Sequence, residues 1–299
     1  MRIVLSFDVE EHHRIEAAAG LDVHPDLKGH YRERVGDCTR WLLDALARVE
    51  VRSTFFVVGQ LAEHDPALVR AIAAAGHEVA SHGWDHRRVL AMTPDQFRED
   101  LRRSKDALEA VTGRAVLGYR APTFSVVRRT AWAVDVLAEL GMAYDSSVYP
   151  VRHDRYGVPD APRGPFLARG EEAAILELPP ATLRVAGVNV PMGGGGYFRL
   201  FPLWVTERAL RQTAADCRPP VAVLYFHPWE FDPGQARLPL RGLNRYRTYV
   251  GLGRTRGRLA DLLGRYQFTR AVDVADDLAA RPDELPEFCL AVPRAAVTG

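Results

Sequence analysis

Rhythm constrains this chain most. Short apolar runs that break off at polar clusters alternate with stretches whose apolar residues recur at a helical period. Residues 3–7 form the first run and deliver Asp8, Glu10 and Glu11 at its end, and Trp41, Leu42, Leu43, Leu46 and Val49 then follow a helical spacing. Residues 53–58 read as a second strand, 67–75 as a helix stopped by Gly76, and 77–81 as a third strand. Thr93-Pro94-Asp95-Gln96 is a capping box with proline at the first helical position, launching a helix to about Val111. Residues 116–119 are strand-like, 130–140 helical with Gly141 as the stop, and 143–146 another short strand. Repeated strand–helix units demand parallel strands covered by helices, with chemistry gathered at the strands' carboxyl ends. The expected fold is α/β, a barrel-like single domain over residues 1–299.

After Pro150 the rhythm changes. Prolines, glycines and charges make residues 151–172 read as one long loop. Gly193 to Gly196 reads as too mobile for a strand, and it lacks the Lys-Ser/Thr of a phosphate-binding loop. A helix over 203–214 precedes an almost purely apolar strand at 221–226. The tail offers a helix at 258–265, a strand-like 267–269 and a last helix at 274–279.

With 39 Lys+Arg against 38 Asp+Glu, the net charge of +1 gives no global attraction to nucleic acid or anionic membrane. The arginines are scattered, and Arg152, Arg155 and residues 254–258 read as solvated surface. Three cysteines without C-x-x-C spacing exclude a disulfide framework and a cysteine zinc site, and they suit a reducing compartment. Asp8, Glu10 and Glu11 interrupt any signal-peptide core, and no apolar stretch approaches the ~18 residues of a membrane span. The expectation is a cytoplasmic protein without a membrane span.

Three strand ends carry complementary groups. Residues two apart on a strand share a face, so Asp8 and Glu10 can enter one pocket, where two carboxylates repel unless a cation or proton lies between them; a solvated acidic loop is the bland reading. His82 and His86, at i and i+4, stack if the segment coils into a helical turn and would offer two imidazoles to one metal. The zinc-protease motif fails for want of a glutamate after His82. His227 ends an apolar strand among aromatics and suits a general acid, or else a histidine bonded to a backbone carbonyl. Between them Arg120, followed by Ala121-Pro122, is placed to pair with a buried carboxylate.

The order acid-x-acid, H-x-x-x-H, Arg-x-Pro and strand-end histidine resembles the polysaccharide deacetylase family of carbohydrate esterases, over residues 3 to about 232. The segment 226–233 with 249–255 is similar to the subgroup found with exosortase-linked exopolysaccharide clusters. The resemblance implies a distorted (β/α)7 barrel, with a core over about 1–232 and a C-terminal helical extension over 233–299. It also implies one divalent ion, usually zinc, with cobalt, nickel or manganese as alternatives. Carried over by position, Asp8 is the general base, Glu10, His82 and His86 are the metal ligands, Arg120 holds the base and His227 is the general acid. Asp145 falls where the family often orients its histidine. Two departures stand out: Asp8-x-Glu10 replaces adjacent aspartates, leaving Glu11 as a competing ligand, and Gly83 replaces the usual Ser/Thr that braces the metal loop.

The implied reaction is metal-assisted removal of an N-acetyl group from an amino sugar, in a glycan, lipid-linked or small-molecule precursor, giving acetate and a free amine. Tyr149, Tyr197, Phe198 and Trp229 could line the sugar groove, or simply pack. A deformylase or cyclic-amide amidohydrolase on the same scaffold is one alternative; a metal-free carbohydrate-binding module is the other.

Overall fold

The computed structural model describes residues 1–153 and 155–291. In chain order it contains β1 (Arg2–Val9), α1 (Pro25–Ala47), β2 (Thr54–Val57), α2 (Gln60–His64), α3 (Pro66–Ala74), β3 (Glu78–Ser81), α4 (Pro94–Thr112), β4 (Gly118–Tyr119), α5 (Trp132–Glu139) and β5 (Tyr144–Asp145). There follow β6 (Phe166–Arg169), β7 (Ala174–Glu177), β8 (Thr182–Val185), β9 (Val188–Pro191), α6 (Gly195–Leu200), α7 (Leu203–Asp216), β10 (Val221–Phe226), α8 (Gly242–Tyr249), α9 (Leu252–Leu263), α10 (Ala271–Ala279) and β11 (Glu287–Cys289).

Nine strands form one sheet in the order β10-β1-β2-β3-β4-β5-β7-β6-β11. The run from β10 to β7 is parallel throughout, while β6 lies antiparallel to β7 and carries β11 on its outer edge. These parallel strands curl toward closure. Single parallel bridges join Pro180 to Val223 and Gly194 to Tyr225, so the chain just beyond β7 and just before α6 seals the seam against β10.

The register of β1 explains why every residue after Arg2 is buried. Ile3, Leu5, Phe7 and Val9 face the surrounding helices, packing in one cluster with Leu42, Leu46, Leu68 and Ile72. Val4 faces inward and packs with Phe56, Ala80, Tyr144 and Val223. Ala271, Val274, Ala275 and Leu278 of α10 plug the amino end of this interior. Alternation therefore gives β1 an apolar outer face and an inner face that runs from apolar Val4 through Ser6 to Asp8 at the carboxyl end.

The capping box of α4 is present: the Thr93 side chain accepts from the Gln96 backbone N–H, and the Gln96 side chain reaches back to the Thr93 N–H. Other expectations need correction. Residues 151–172 are not one long loop, because Phe166–Arg169 pairs with β7. The hairpin of β8 and β9 and the edge strand β11 give no distinguishable signal in four and three residues. Residues 267–269 are not a strand; only Thr269 makes a bridge, to Val4. The stretch 233–299 is more than helical, contributing β11 and the plug α10.

The four-glycine run is ordered, and two of its members are required by close approach. A Cβ at Gly193 would lie 2.8 Å from the Val223 carbonyl oxygen and 2.9 Å from the Ala181 nitrogen, inside the seam. A Cβ at Gly195 would overlap the Glu230 carboxylate.

Candidate active site

The residues picked out at strand ends converge at the carboxyl end of the barrel. Arg120 follows β4, is fully buried, and lies across the interior between β1 and β5. Its Nη1 donates to Asp8 Oδ1 at 2.7 Å and to Ser6 Oγ at 2.9 Å. Its Nε and Nη2 donate to the carbonyl and hydroxyl oxygens of Ser146 at 3.2 and 2.9 Å, and its guanidinium lies 4.0 Å over the Phe56 ring. A buried cation is tolerable only when paired and hydrogen-bonded, and Asp8 with the two serines meets that condition.

Glu10 leaves the end of β1 with 1 % exposure. Its Oε2 lies 2.6 Å from His86 Nε2, yet makes no well-directed hydrogen bond. His82 Nδ1 lies 2.8 Å from the Arg120 carbonyl oxygen. A carbonyl only accepts, so Nδ1 carries the proton and the Nε2 lone pair is left available. One donor atom each from Glu10, His82 and His86 lies within 4.8 Å of the others. A buried carboxylate oxygen facing an imidazole nitrogen without a directed bond, beside a second imidazole with a free lone pair, fits a divalent cation with mixed oxygen and nitrogen ligands.

The electrostatics agree. Burial pushes the Glu10 carboxyl up, but the imidazoles of His86, His227 and His82 overcome it and hold the group at about 2. Burial brings His82 down to about 4 against the pull of Asp8, which leaves the neutral imidazole that ligation requires. Glu11, the competing ligand, is tied to Arg14 and points elsewhere.

The histidine pair reaches the site by a different route from the helical turn expected. Residues 82–86 form an irregular bend in which Gly83 has φ +74° and His86 φ +68°. The brace expected from a hydroxyl after His82 comes from α4 instead. Ser104 Oγ donates to the Gly83 carbonyl at 3.0 Å and contacts Ser81 Oγ at 2.8 Å. Asp100 Oδ2 accepts the Trp84 N–H at 2.9 Å. Burial pushes the Asp100 carboxyl up to about 6.

His227 follows β10 with its Nε2 turned into the site, 3.7 Å from Glu10 Oε1 and 4.0 Å from Asp8 Oδ2. Its Nδ1 lies 3.3 Å from Glu230 Oε1. Burial pushes His227 down, but Glu230, Glu10 and Asp8 outweigh it and lift the imidazole to about 9. Glu230 is 2 % exposed and lies 3.6 Å from Arg199 Nη2, itself buried. The orienting acid is therefore placed differently from the expectation. Asp145 accepts from the Ser146 N–H at 2.8 Å and from the Ser147 hydroxyl, and sits in register with Glu177 on β7. Burial pushes Asp145 up to about 6 and the Glu177 carboxyl well up. Glu230 could have been found from its spacing: a 3₁₀ turn over Pro228–Phe231 brings the residue three beyond His227 back onto it.

The aromatic residues divide. Tyr149 is fully buried among Phe124, Tyr156 and Tyr225, so it is a wall behind the site rather than a sugar platform. Phe198 is likewise buried, packed on Phe226. Trp229 is 7 % exposed, stacked on His227 at 5.5 Å and meeting the tilted His12 ring at 4.6 Å. Tyr197 alone of the four is half-exposed and lines an open cavity.

A curled parallel α/β barrel with these groups at its carboxyl end is the fold of the polysaccharide deacetylases, and part of this chain matches that family's model. The polysaccharide deacetylase profile matches residues 28–144. A domain of unknown function, DUF3473, matches residues 146–276, and this pairing is that of the exosortase-associated deacetylases. Among curated relatives, a peptidoglycan-N-acetylglucosamine deacetylase of Bacillus cereus is 25 % identical over 147 residues, 45 % of this chain and 50 % of that protein. A chitooligosaccharide deacetylase of Rhizobium leguminosarum bv. trifolii is 32 % identical over 101 residues, 34 % and 44 % respectively. The chain thus spans half or less of the length of these relatives. A solved structure assigned as a polysaccharide deacetylase from Mycobacterium smegmatis shares the fold with TM-score 0.59 and 22 % identity, covering 98 % of this chain and 94 % of that one. One from Pseudomonas aeruginosa PAO1 gives 0.63 and 18 %, covering 94 % and 92 %.

Proposed function

We propose that the protein is a metal-dependent hydrolase that removes N-acetyl groups from amino sugars of a glycan or glycan precursor, releasing acetate and a free amine. One observation carries this reading: Glu10, His82 and His86 present converging donors while Asp8 and His227 both face them. The names of the curated relatives, which act on peptidoglycan and chitooligosaccharides, support the substrate class.

Glu10, His82 and His86 would hold the ion, which we take to be zinc, with cobalt, nickel or manganese compatible with the same donors. A divalent ion bound there supplies Lewis acidity at the acyl oxygen and lowers the pKa of water toward ~7. Asp8, aimed by Arg120 and Ser6, is placed to take the proton of the attacking water. Glu230 accepts the Nδ1–H of His227, so Nε2 is the atom that delivers a proton to the departing nitrogen. Without that proton an amide C–N bond does not break. We place the activity in a reducing compartment such as the cytoplasm; the free thiols Cys38, Cys217 and exposed Cys289 support this.

The test is acetate release from N-acetylglucosamine oligomers by protein purified without chelator, with metal content measured on the same sample. Equimolar zinc and chelator-sensitive acetate release are expected. Formate release, or opening of a cyclic ureide in place of acetate release, moves the assignment to the amidohydrolase reading. Metal-free protein that binds sugar without turnover refutes catalysis altogether.

A further inference from the structure

An open cavity of about 330 Å³, within the ~300–1,000 Å³ range of ligand pockets, is lined by residues from segments that also carry the site. Glu16, Thr123, Tyr156, Tyr197, Tyr246 and Arg247 are among its lining residues. Three of these tie it to the chemistry. Thr123 follows Arg120 by three residues and adopts a left-handed φ of +56°, a conformation costly outside glycine and frequent at functional sites. Tyr197 shares α6 with Gly195, whose Cα abuts the Glu230 carboxylate. Glu16 pairs at 3.1 Å with Arg88, two residues beyond His86.

Among the described residues, the lining of this cavity carries more positive than negative groups. The carboxylate of Glu16 is engaged by Arg88, while α8 brings Arg247 to the cavity. Arg247 has no carboxylate partner among the described residues. The platform that carries it is fixed from beneath. Arg199 Nη1 donates to the Thr248 and Val250 carbonyls at 2.8 and 2.9 Å, and Tyr249 Oη accepts the Leu238 N–H at 2.7 Å. Beside Arg247 the Tyr246 ring is 56 % exposed.

We propose that this cavity is a subsite for an anionic sugar unit, so that the acetamido sugar at the metal centre is flanked by a carboxylate or a phosphate. Its place next to an acetamido group rests on the deacetylase reading; the anion binding does not. Tyrosine faces suit the apolar side of a sugar ring, and a guanidinium fork matches carboxylate and phosphate oxygens. A neutral chitin-like chain would leave Arg247 unmatched. The anion could be a uronate in the same glycan or the diphosphate of a carrier-linked sugar.

The test is calorimetric binding to the full-length, zinc-loaded Asp8→Asn protein, which cannot turn over. Three probes are compared: a tetrasaccharide alternating glucuronate with N-acetylglucosamine, UDP-N-acetylglucosamine, and neutral tetraacetylchitotetraose. At least one anionic probe should bind roughly tenfold more tightly than the neutral one, as expected for one hydrogen-bonded charge pair. Adding exposed Arg247→Glu should abolish that advantage and leave the neutral probe unchanged. A gain for the uronate oligomer identifies a glycan and a gain for the nucleotide sugar identifies a diphosphate carrier; either supports the subsite. Equal affinities for all three probes, or an anion preference that survives Arg247→Glu, overturns it. Acetate release by the unmodified protein without charge discrimination sinks the subsite alone. Charge-dependent binding without acetate release sinks the deacetylase reading alone.

Discussion

A methyl group added at Gly195 would overlap the Glu230 carboxylate, while one added at neighbouring Gly196 would meet nothing within 4 Å. That contrast gives a sharp test of how His227 is held. Glu230 has little room to retreat, being buried between His227 at 3.3 Å and Arg199 at 3.6 Å. In Gly195→Ala the carboxylate must leave the imidazole. A hydrogen bond to a charged group is worth about 1.5–3 kcal/mol, which corresponds to roughly ten- to hundredfold in turnover if it is needed in the transition state. Overpacking costs about 1–3 kcal/mol, offset by up to about 1 kcal/mol from alanine's better helix propensity, so the fold should survive. Bound metal should stay at the wild-type level, because Glu10, His82 and His86 are untouched. Gly196→Ala should match wild type in turnover and gain slightly in stability. The assay is steady-state acetate release alongside urea denaturation and elemental analysis. Undiminished turnover in a folded, metal-loaded Gly195→Ala protein would show that Glu230 does not govern His227.

Other expectations follow from the same geometry. Asp8→Asn and His227→Ala should each lower turnover by about 10²–10⁴ with metal nearly unchanged, whereas His86→Ala should lose metal together with activity; metal loss in the first two would refute their roles. Burial, with Arg270 and Arg52 nearby, brings His77 down to about 4, far from the site. Its folded pKa lies below the unfolded value near 6.5, so the unfolded chain takes up the proton first and stability falls as pH drops from about 6.5 to 4. The loss is on the order of 2–3 kcal/mol; equal acid sensitivity in His77→Gln would remove this explanation. Residues 1–145 and 146–299 expressed separately should not fold, as judged by circular dichroism, because β1 finds its six-residue partner β10 only in the second piece. A cooperatively folded first fragment would contradict this.

The sequence disclosed the site better than the seam. His82, Arg120 and His227 were visible because each ends an apolar strand, and parallel barrels place such residues on one rim. His82 and His86 do come together, but in a different local form from the one expected, since spacing alone does not distinguish a helical turn from a bend held by Ser104 and Asp100. Asp145 lost its assigned place to Glu230 because strand order around a barrel decides which acid faces which histidine. The glycines at 193 and 195 were misread as mobile for a similar reason. What excludes a side chain there is the backbone at 181 and 223 and the carboxylate of Glu230, none of them adjacent in sequence. The strands that escaped the sequence reading, β6, β8, β9 and β11, have only three or four residues, too few for alternation to declare itself.

The pairing of Arg2 through Phe7 with Val221 through Phe226 also sets a timetable. A ribosome extending the chain at roughly 5–20 residues per second needs on the order of ten to forty seconds between making the first partner and the second. Throughout that interval a strand with a wholly apolar outer face waits with one edge unsatisfied. Late ladder closure of this kind makes folding slow and leaves the nascent chain dependent on shielding from its neighbours.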